Sequence, residues 1–433
     1  MDSPRRAGAD DMTESIAAKS IYPLAPRPVS VTAPDNAATA ALGLICVLSY
    51  LLLNPFLATF LLAIVNVYRR IPAAVFLVSA SVCFTLFFFF RDYGVLWYFN
   101  SSDDVVNYVS LYHDLLDATL PELVDKFITA PNGNELLWEL PWWGLANIFE
   151  ASESTFIFLH YLLIFVAVFL ALYTLSSRHF LAMVVVYLFL MPISIDSISH
   201  IWRQQLAFSM YLAGVGLSQV RGYKAGRWLI YLSPFVHLSL IFFVAGYLGF
   251  RFIRWGGGFK SKFKFTIVLA LVMTVVPFLS SIAVRFLDAI GLERIMSFFE
   301  AFGSDVTRVY MILGLYMVPL LAAFYLLKND DTNDLFMFLC IAVFSIVAAI
   351  PAANGIYDRL LMFVLPLLGI FFFRTLLRNF SHRWEAPFLL FAFVTGLIRL
   401  YLPTRDSSGP MYFLALGHAF DPLMGILKML VVL

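Results

Sequence analysis

Residues 154–175 read STFIFLHYLLIFVAVFLALYTL, an apolar run that contains no Asp, Glu, Lys or Arg. About 20 residues of this kind are enough for a helix to cross the hydrocarbon layer of a membrane. Similar runs recur along the chain, at about 40–67, 71–90, 180–196, 204–220, 228–250, 265–286, 307–327, 334–351, 356–376, 384–402 and 411–433. The pattern predicts a bundle of about 11–13 transmembrane helices.

The composition points to the same class of protein. Of the 433 residues, 61% are hydrophobic and 13% are charged, whereas a soluble domain has about a quarter charged residues. We therefore predict an all-α polytopic membrane protein, with a disordered N-terminal tail at 1–39 and a single transmembrane domain at 40–433. The net charge of +1 gives no indication of a nucleic-acid partner. The cysteines lie inside apolar runs and do not form a disulfide framework or a metal cluster: Cys46, Cys83 and Cys340.

Basic residues predict which side of the membrane each connection occupies, because cytoplasmic loops are enriched in Lys and Arg. The basic clusters that we assign to the cytoplasm are 69–70, 178–179, 221–227, 251–264 and 374–383. Two of them flank the single apolar run 228–250, which contains Pro234. Either this run enters and returns as a hairpin broken at the proline, with His237 near the tip, or it is one ordinary helix that departs from the charge rule.

The connections on the opposite side include one long acidic loop at 91–153. We predict that this loop is periplasmic and covers a site as a lid. Segments 120–127 and 135–149 have the pattern of amphipathic helices that lie in the membrane interface.

Ionisable residues at the ends of apolar runs are costly in a membrane and are therefore functional candidates. Arg203 opens one run from the outer side, and His200 precedes it by one helical turn. A guanidinium at such a position is suited to an anionic phosphate, whose oxygens it contacts in pairs. Arg359 opens a later run from the same side. Further candidates accompany these residues: Arg91, Asp103, Asp104, Glu135, Gln204, His237 and Tyr357.

Some chemistries find no support in the sequence. Asp103 and Asp104 are adjacent but lack the wider set of oxygen ligands that Mg²⁺ or Ca²⁺ takes. The chain has no P-loop, no glycine-rich dinucleotide motif and no H-E-x-x-H motif. We therefore predict no metal and no cofactor, and a substrate that arrives already activated.

The order of these elements resembles the EpsG-type Wzy family, the bacterial polysaccharide (O-antigen or capsule) polymerases. The family pattern begins with an Arg at the end of an early helix, followed by a loop that contains Asp and Tyr. A stretch that starts with Glu comes next. The pattern then continues with an Arg-Gln-x-x-Ala helix start, a His-x-Ser motif and a late Arg-Leu helix start. The matching residues are Arg91, Asp103-Asp104 with Tyr108, Glu135-Leu136-Leu137, Arg203-Gln204-Gln205-Leu206-Ala207, His237-Leu238-Ser239 and Asp358-Arg359-Leu360.

The resemblance implies a fold and a reaction. The fold is a GT-C-like helical bundle in the bacterial inner (cytoplasmic) membrane, with its active site facing the periplasm. The enzyme transfers a growing glycan from polyprenyl (undecaprenyl) diphosphate onto a sugar hydroxyl of the next lipid-linked repeat unit, in lipopolysaccharide or capsule synthesis. Its partners are that lipid-linked oligosaccharide, as donor and acceptor, the bilayer, and a separate chain-length regulator.

Within that reaction, the residues divide into two groups. Substrate and diphosphate binding is assigned to Arg91, His200, Arg203, Gln204, Tyr357 and Arg359. The candidates for the general base that deprotonates the acceptor hydroxyl are Asp103, Asp104, Glu135 and His237, with the acids ranked first.

Three other functions stay open at this point. One is a GT-C glycosyltransferase that moves a single sugar from a polyprenyl phosphate, and another is an O-antigen ligase. The third is a flippase for lipid-linked glycans, for which inverted repeats and paired broken helices are typical.

Overall fold

A computed structural model describes residues 36–89, 104–129, 136–190, 201–253, 320, 331–349, 354–380 and 382–405. The regular structure in these ranges is helical throughout, which confirms the predicted all-α class. The first seven helices are α1 (Asn36–Leu52), α2 (Pro55–Tyr68), α3 (Ala73–Phe89), α4 (Asp104–Leu116), α5 (Leu120–Thr129), α6 (Leu136–Asn147) and α7 (Glu153–Leu175).

The remaining helices follow the same order along the chain. Two of them end in π-helical turns, at Val186–Leu190 and Gly216–Val220. They are α8 (Phe180–Val185), α9 (Trp202–Val215), α10 (Gly226–Leu232), α11 (Ile241–Ile253), α12 (Asp331–Ala349), α13 (Asn354–Asn379) and α14 (Glu385–Arg405). The predicted runs 265–286 and 411–433, nearly all of 307–327 and most of the N-terminal tail lie outside the described residues.

Helix α7 corresponds to the apolar run 154–175, and it packs against α3 and α9. Ser152 caps its start, because the hydroxyl accepts a hydrogen bond from the Thr155 N–H at 3.3 Å. Its buried face contributes Phe165, whose ring contacts Phe84 and Phe88 of α3 at 5.2 and 5.4 Å between centroids. The core around α7 is therefore built largely of aromatic rings.

The first predicted run, 40–67, is broken into two helices at Asn54-Pro55. Proline lacks the N–H that would continue α1 but fits the first turn of a new helix. The Asn54 side chain accepts the Phe56 N–H at 2.9 Å and so caps α2. Across the break, the Tyr50 and Thr59 hydroxyls are hydrogen-bonded at 2.7 Å.

The basic clusters 178–179, 221–227 and 374–383 meet at the C-terminal end of α7. Arg221 donates hydrogen bonds to the carbonyls of Tyr173 and Thr174, at 2.7 and 3.3 Å. In the same way, the Arg374 guanidinium donates to the last carbonyl of the helix at 2.9 Å. These carbonyls have no partner within the helix, and the helix dipole favours a cation beside them.

The run 228–250 turns back on itself, as the hairpin alternative predicts. Helix α10 ends at Leu232, two 3₁₀ turns follow at Ser233–Phe235 and Leu238–Leu240, and α11 then begins. The rings of Tyr231 and Tyr247 lie 6.5 Å apart, whereas a continuous helix would separate these residues by roughly 24 Å. The ordinary-helix alternative is therefore wrong.

Within the described residues, two helices are long and apolar enough to cross a membrane, Glu153–Leu175 and Met362–Asn379. Shorter apolar helices accompany them, at Asn36–Leu52, Pro55–Tyr68, Ala73–Phe89, Phe180–Leu190, Leu238–Phe252, Thr332–Val343 and Glu385–Ile398. Many of their apolar side chains are exposed, including Leu44, Leu52 and Val78. Such surfaces are compatible with contact with lipid.

Candidate functional site

The predicted site residues fall into three groups in the structure. Four lie outside the described residues: Arg91, Asp103, Glu135 and His200. Three lie near the starts of helices, where the backbone is described: Asp104 in α4, and Tyr357 and Arg359 in α13. The side-chain surroundings are described for the other three: Arg203 and Gln204 in the first turn of α9, and His237 between the two 3₁₀ turns.

The central contact of the site joins Arg203 to Tyr108. The guanidinium carbon of Arg203 lies 5.4 Å from the centroid of the Tyr108 ring, which is within the range of a cation–π interaction. Tyr108 is buried, and its ring also stacks on the indole of Trp202 at 5.1 Å with an interplanar angle of 14°. Two pieces of the predicted pattern, far apart in sequence, therefore lie together at the N-terminal end of α9.

Helix α4 holds Tyr108 in place because it is fastened to the start of α7. The Tyr112 hydroxyl donates to the Ala151 carbonyl at 2.6 Å, and its ring stacks on Phe156 at 4.2 Å. Burial raises the pKa of Tyr112, so the phenol stays protonated and remains a donor. The next residue in α4 is His113, whose Nε2 lies 3.1 Å from a Glu153 carboxylate oxygen.

Helices α5 and α6 follow α4 along the chain. The Trp143 indole N–H donates to the Ala118 carbonyl at 2.8 Å, and the Asn147 amide donates to the Leu115 carbonyl at 2.7 Å. These bonds tie α6 to the end of α4. The segments predicted at 120–127 and 135–149 form helices, and the second packs on α4. The first helix is amphipathic as predicted. The prediction is wrong for the second, whose apolar residues lie on all sides: Trp138 and Trp142 are buried, whereas Leu137 and Leu140 are exposed.

Sequence reasoning missed His160, which lies in a cage of aromatic rings that includes Tyr108, the ring contacted by Arg203. The imidazole is fully buried. The ring centroids around it lie at 3.7 Å for Trp142, 4.3 Å for Phe156, 4.6 Å for Trp138 and Trp202, and 6.4 Å for Tyr108. The available signal was an ionisable residue inside the run 154–175, which is the criterion that selected His237.

The hydrogen bonds of His160 determine the tautomer of the neutral ring. A carbonyl oxygen only accepts, so the 3.2 Å contact between Nδ1 and the Phe156 carbonyl requires a proton on Nδ1. Nε2 then carries a lone pair, and it is buried without a hydrogen-bond partner among the described residues. The buried indole N–H of Trp202 also lacks a partner within the described part of the chain.

His237 has the opposite arrangement. Its backbone is extended (φ −154°, ψ 117°), and Nδ1 accepts the Ser239 N–H at 3.3 Å. A backbone N–H only donates, so the proton of the neutral ring is on Nε2. In this arrangement His237 is suited to donate a hydrogen bond. Its predicted role as a general base would require the other tautomer.

The two glutamines that follow Arg203 are both buried. Gln205 donates to the Tyr187 hydroxyl at 2.7 Å and so connects α9 to the π-helical end of α8. The role predicted for Gln204 in substrate binding stays a prediction. Within the ranges that the structure describes, no group of three or more His, Cys, Asp or Glu residues is placed to hold a metal ion.

Comparison with known proteins identifies one family. The model of the EpsG family matches residues 81–416, a stretch that contains every predicted site residue. Comparison with curated proteins and with solved structures finds no match.

Proposed function

Because this chain belongs to the EpsG family, we propose that it is a polysaccharide polymerase of the bacterial inner membrane. It transfers a growing glycan from polyprenyl (undecaprenyl) diphosphate onto a sugar hydroxyl of the next lipid-linked repeat unit, on the periplasmic side. The family and the apolar helices together indicate a membrane protein of the polysaccharide-polymerase type. What we propose in addition is the identity of the donor and the acceptor and the side of the membrane on which the transfer takes place.

The observation that carries the proposal is the contact between Arg203 and Tyr108 at the N-terminal end of α9. In the transfer, negative charge develops on the departing diphosphate. A guanidinium held in place before the reaction stabilises such charge without the cost of reorganising. Tyr108 supplies this restraint because its buried ring lies under the guanidinium. The positive end of the α9 dipole adds to the attraction for an anion.

The distribution of charge supports a periplasmic site. Arg221 and Arg374 lie at the C-terminal end of α7, whereas Tyr108 and Trp202 pack near its N-terminal end, around His160. Cytoplasmic surfaces are enriched in Lys and Arg. If the basic end faces the cytoplasm, the end that carries Arg203 faces the periplasm.

In the proposed step, the oxygen of the acceptor hydroxyl attacks the anomeric carbon of the donor sugar. The new glycosidic bond forms as the bond from this carbon to the diphosphate oxygen breaks. The lipid diphosphate leaves with the bonding electrons, and the hydroxyl proton passes to a general base. We assign this base to Asp103, Asp104 or Glu135, because His237 is held as a donor.

The direct test is a polymerisation assay with purified protein in lipid nanodiscs. The substrate is the lipid-linked repeat unit extracted from cells in which the gene is deleted, supplied without nucleotide sugar and with a chelator. We expect a ladder of products that differ by one repeat unit. Intact substrate in the presence of folded protein, or a product with a single added sugar, would refute the proposal.

Arg203 is tested in the same assay with a matched control. Arg203→Ala should remove the long products of the ladder and leave only slow addition of repeat units, and Arg203→Lys should restore only a small part of the rate, because Lys keeps the charge but loses the planar fork. Arg221→Ala is the control, since Arg221 contacts carbonyls at the opposite end of α7. It should lower the melting temperature and leave the ladder of the folded protein intact. An unchanged ladder for Arg203→Ala would exclude the role proposed for this residue.

A further inference from the structure

We propose that His160 and Trp202 form a binding site for one hydroxyl group of the sugar that is attached to the lipid diphosphate. This inference rests on the proposed function. It adds a sugar contact to a reaction for which the sequence indicated only phosphate contacts and acids.

Two polar atoms in this cluster lack hydrogen-bond partners within the part of the chain that the structure describes. His160 Nε2 and Trp202 Nε1 are both buried without a hydrogen-bond partner among the described residues. The two rings stack at 4.6 Å between centroids with an interplanar angle of 25°, so the atoms belong to one cluster. A buried polar atom without a partner is costly, and native proteins almost always satisfy it. The cluster therefore has an acceptor and a donor available to bind a polar group.

The two atoms together select the chemical class of the group that they bind. Nε2 of His160 offers a lone pair, because Nδ1 holds the proton that it donates to the Phe156 carbonyl. The Trp202 indole offers an N–H. A single group that satisfies both must donate and accept. A hydroxyl does this, whereas a carboxylate or a phosphate dianion cannot donate to Nε2 and an ammonium cannot accept from the indole.

The surroundings of the pair are suited to a sugar. Five aromatic rings enclose His160, and the C–H faces of sugars pack well on such rings. Tyr108 contacts both His160 and the guanidinium of Arg203. A ligand that places an anion on Arg203 therefore brings its adjoining group to the cage. A sugar linked directly to a diphosphate has this order of groups.

The cage is closed in this structure, because His160 and Trp202 are fully buried. Three of its rings, Tyr108, Trp138 and Trp142, belong to α4 and α6. Helix α4 is fastened to the start of α7 through Tyr112. Entry of a sugar therefore requires α4 and α6 to move away from α7.

The test measures the binding of two lipids to the full-length protein in nanodiscs. One probe is polyprenyl diphosphate without sugar, and the other carries the repeat unit extracted from the deletion strain. His160→Phe keeps an aromatic ring and removes both nitrogens, whereas Trp202→Phe removes the indole N–H. We expect each variant to bind the sugar-bearing lipid about tenfold more weakly and the bare lipid unchanged.

His160→Gln and Trp228→Phe serve as matched variants. Gln places an oxygen near the position of Nε2, so it should recover part of the affinity for the sugar-bearing lipid. Trp228→Phe makes the same substitution as Trp202→Phe in an exposed residue of α10, outside the cage and outside α4 and α6. It should not alter the ratio of the two affinities. If His160→Phe does not fold, Trp202→Phe and His160→Gln still decide the matter.

The possible outcomes separate the two proposals. If both lipids bind and the cage variants weaken them equally or not at all, the occupant is an ordered water, and the sugar site is wrong while the proposed function stands. If the wild-type protein binds neither lipid, the proposed function fails and the sugar site fails with it. A selective loss for the sugar-bearing lipid supports the site.

Discussion

Removing the ring beneath Arg203 should reduce polymerisation more than it reduces stability. The guanidinium carbon lies 5.4 Å from the Tyr108 centroid, and Tyr108 is buried. A cation–π contact that is shielded from water contributes about 2 kcal/mol. If this contact holds Arg203 where the diphosphate charge develops, its loss should slow the transfer by about tenfold to thirtyfold. Tyr108→Leu removes the ring, and Tyr108→Phe keeps it.

The assay is the initial rate of repeat-unit addition at saturating lipid-linked substrate, normalised to folded protein. We expect Tyr108→Phe to retain most of the rate, because the π face is preserved, and Tyr108→Leu to show the full loss. Arg203→Ala should cost about a hundredfold to a thousandfold, as for a donor aimed at developing charge.

A double-mutant cycle tests the reasoning itself. Tyr108 acts through Arg203 in this account, so Tyr108→Leu should have almost no further effect once Arg203 is replaced by Ala. Equal losses in the two backgrounds would refute the positioning role, even if both single variants were slow. The same outcome would mean that the ring contributes through the cage around His160 instead.

Three further predictions concern the framework and one exposed helix start. Gly214→Ala should destabilise the protein by about 1–3 kcal/mol in a thermal melt, because the added Cβ would lie 2.7 Å from a backbone oxygen of α10. Gly249→Ala is the control: its Cβ would meet only a ring atom at 3.9 Å, so the variant should be nearly neutral. Arg374→Ala should cost about 1–3 kcal/mol in the same melt, because the buried end of α7 loses its donor. The backbone and hydroxyl hydrogen bonds from Thr119 hold the pKa of Glu122 below its ordinary value. Its stabilising contribution is present above the ordinary pKa and is lost as the pH falls through the lowered one. Thr119→Ala removes the hydroxyl donor and keeps the backbone N–H, which is the larger cause, so a carbon-13 titration should show the pKa of Glu122 moving only part of the way back toward 4.5.

The sequence by itself determined the class of the protein and much of its local structure. Runs such as 154–175 have only one way to satisfy their backbone groups in an apolar medium, which is a helix. Pro234 predicted a break in the run 228–250 as one of two alternatives, because proline removes a backbone donor. These properties depend on neighbours along the chain, so pattern reasoning reaches them.

The tertiary structure alone decided which distant residues meet. Tyr108 and Arg203 belong to separate helices, and no periodicity predicts that one lies over the other. The same holds for His160, whose position in the apolar run gave no indication of the five rings around it. The tautomers of His160 and His237 depend on which backbone group each Nδ1 contacts. Residue types alone therefore predicted His237 as a base. In the folded protein, however, it is Nε2 of His160 that carries an unprotonated lone pair without a hydrogen-bond partner among the described residues.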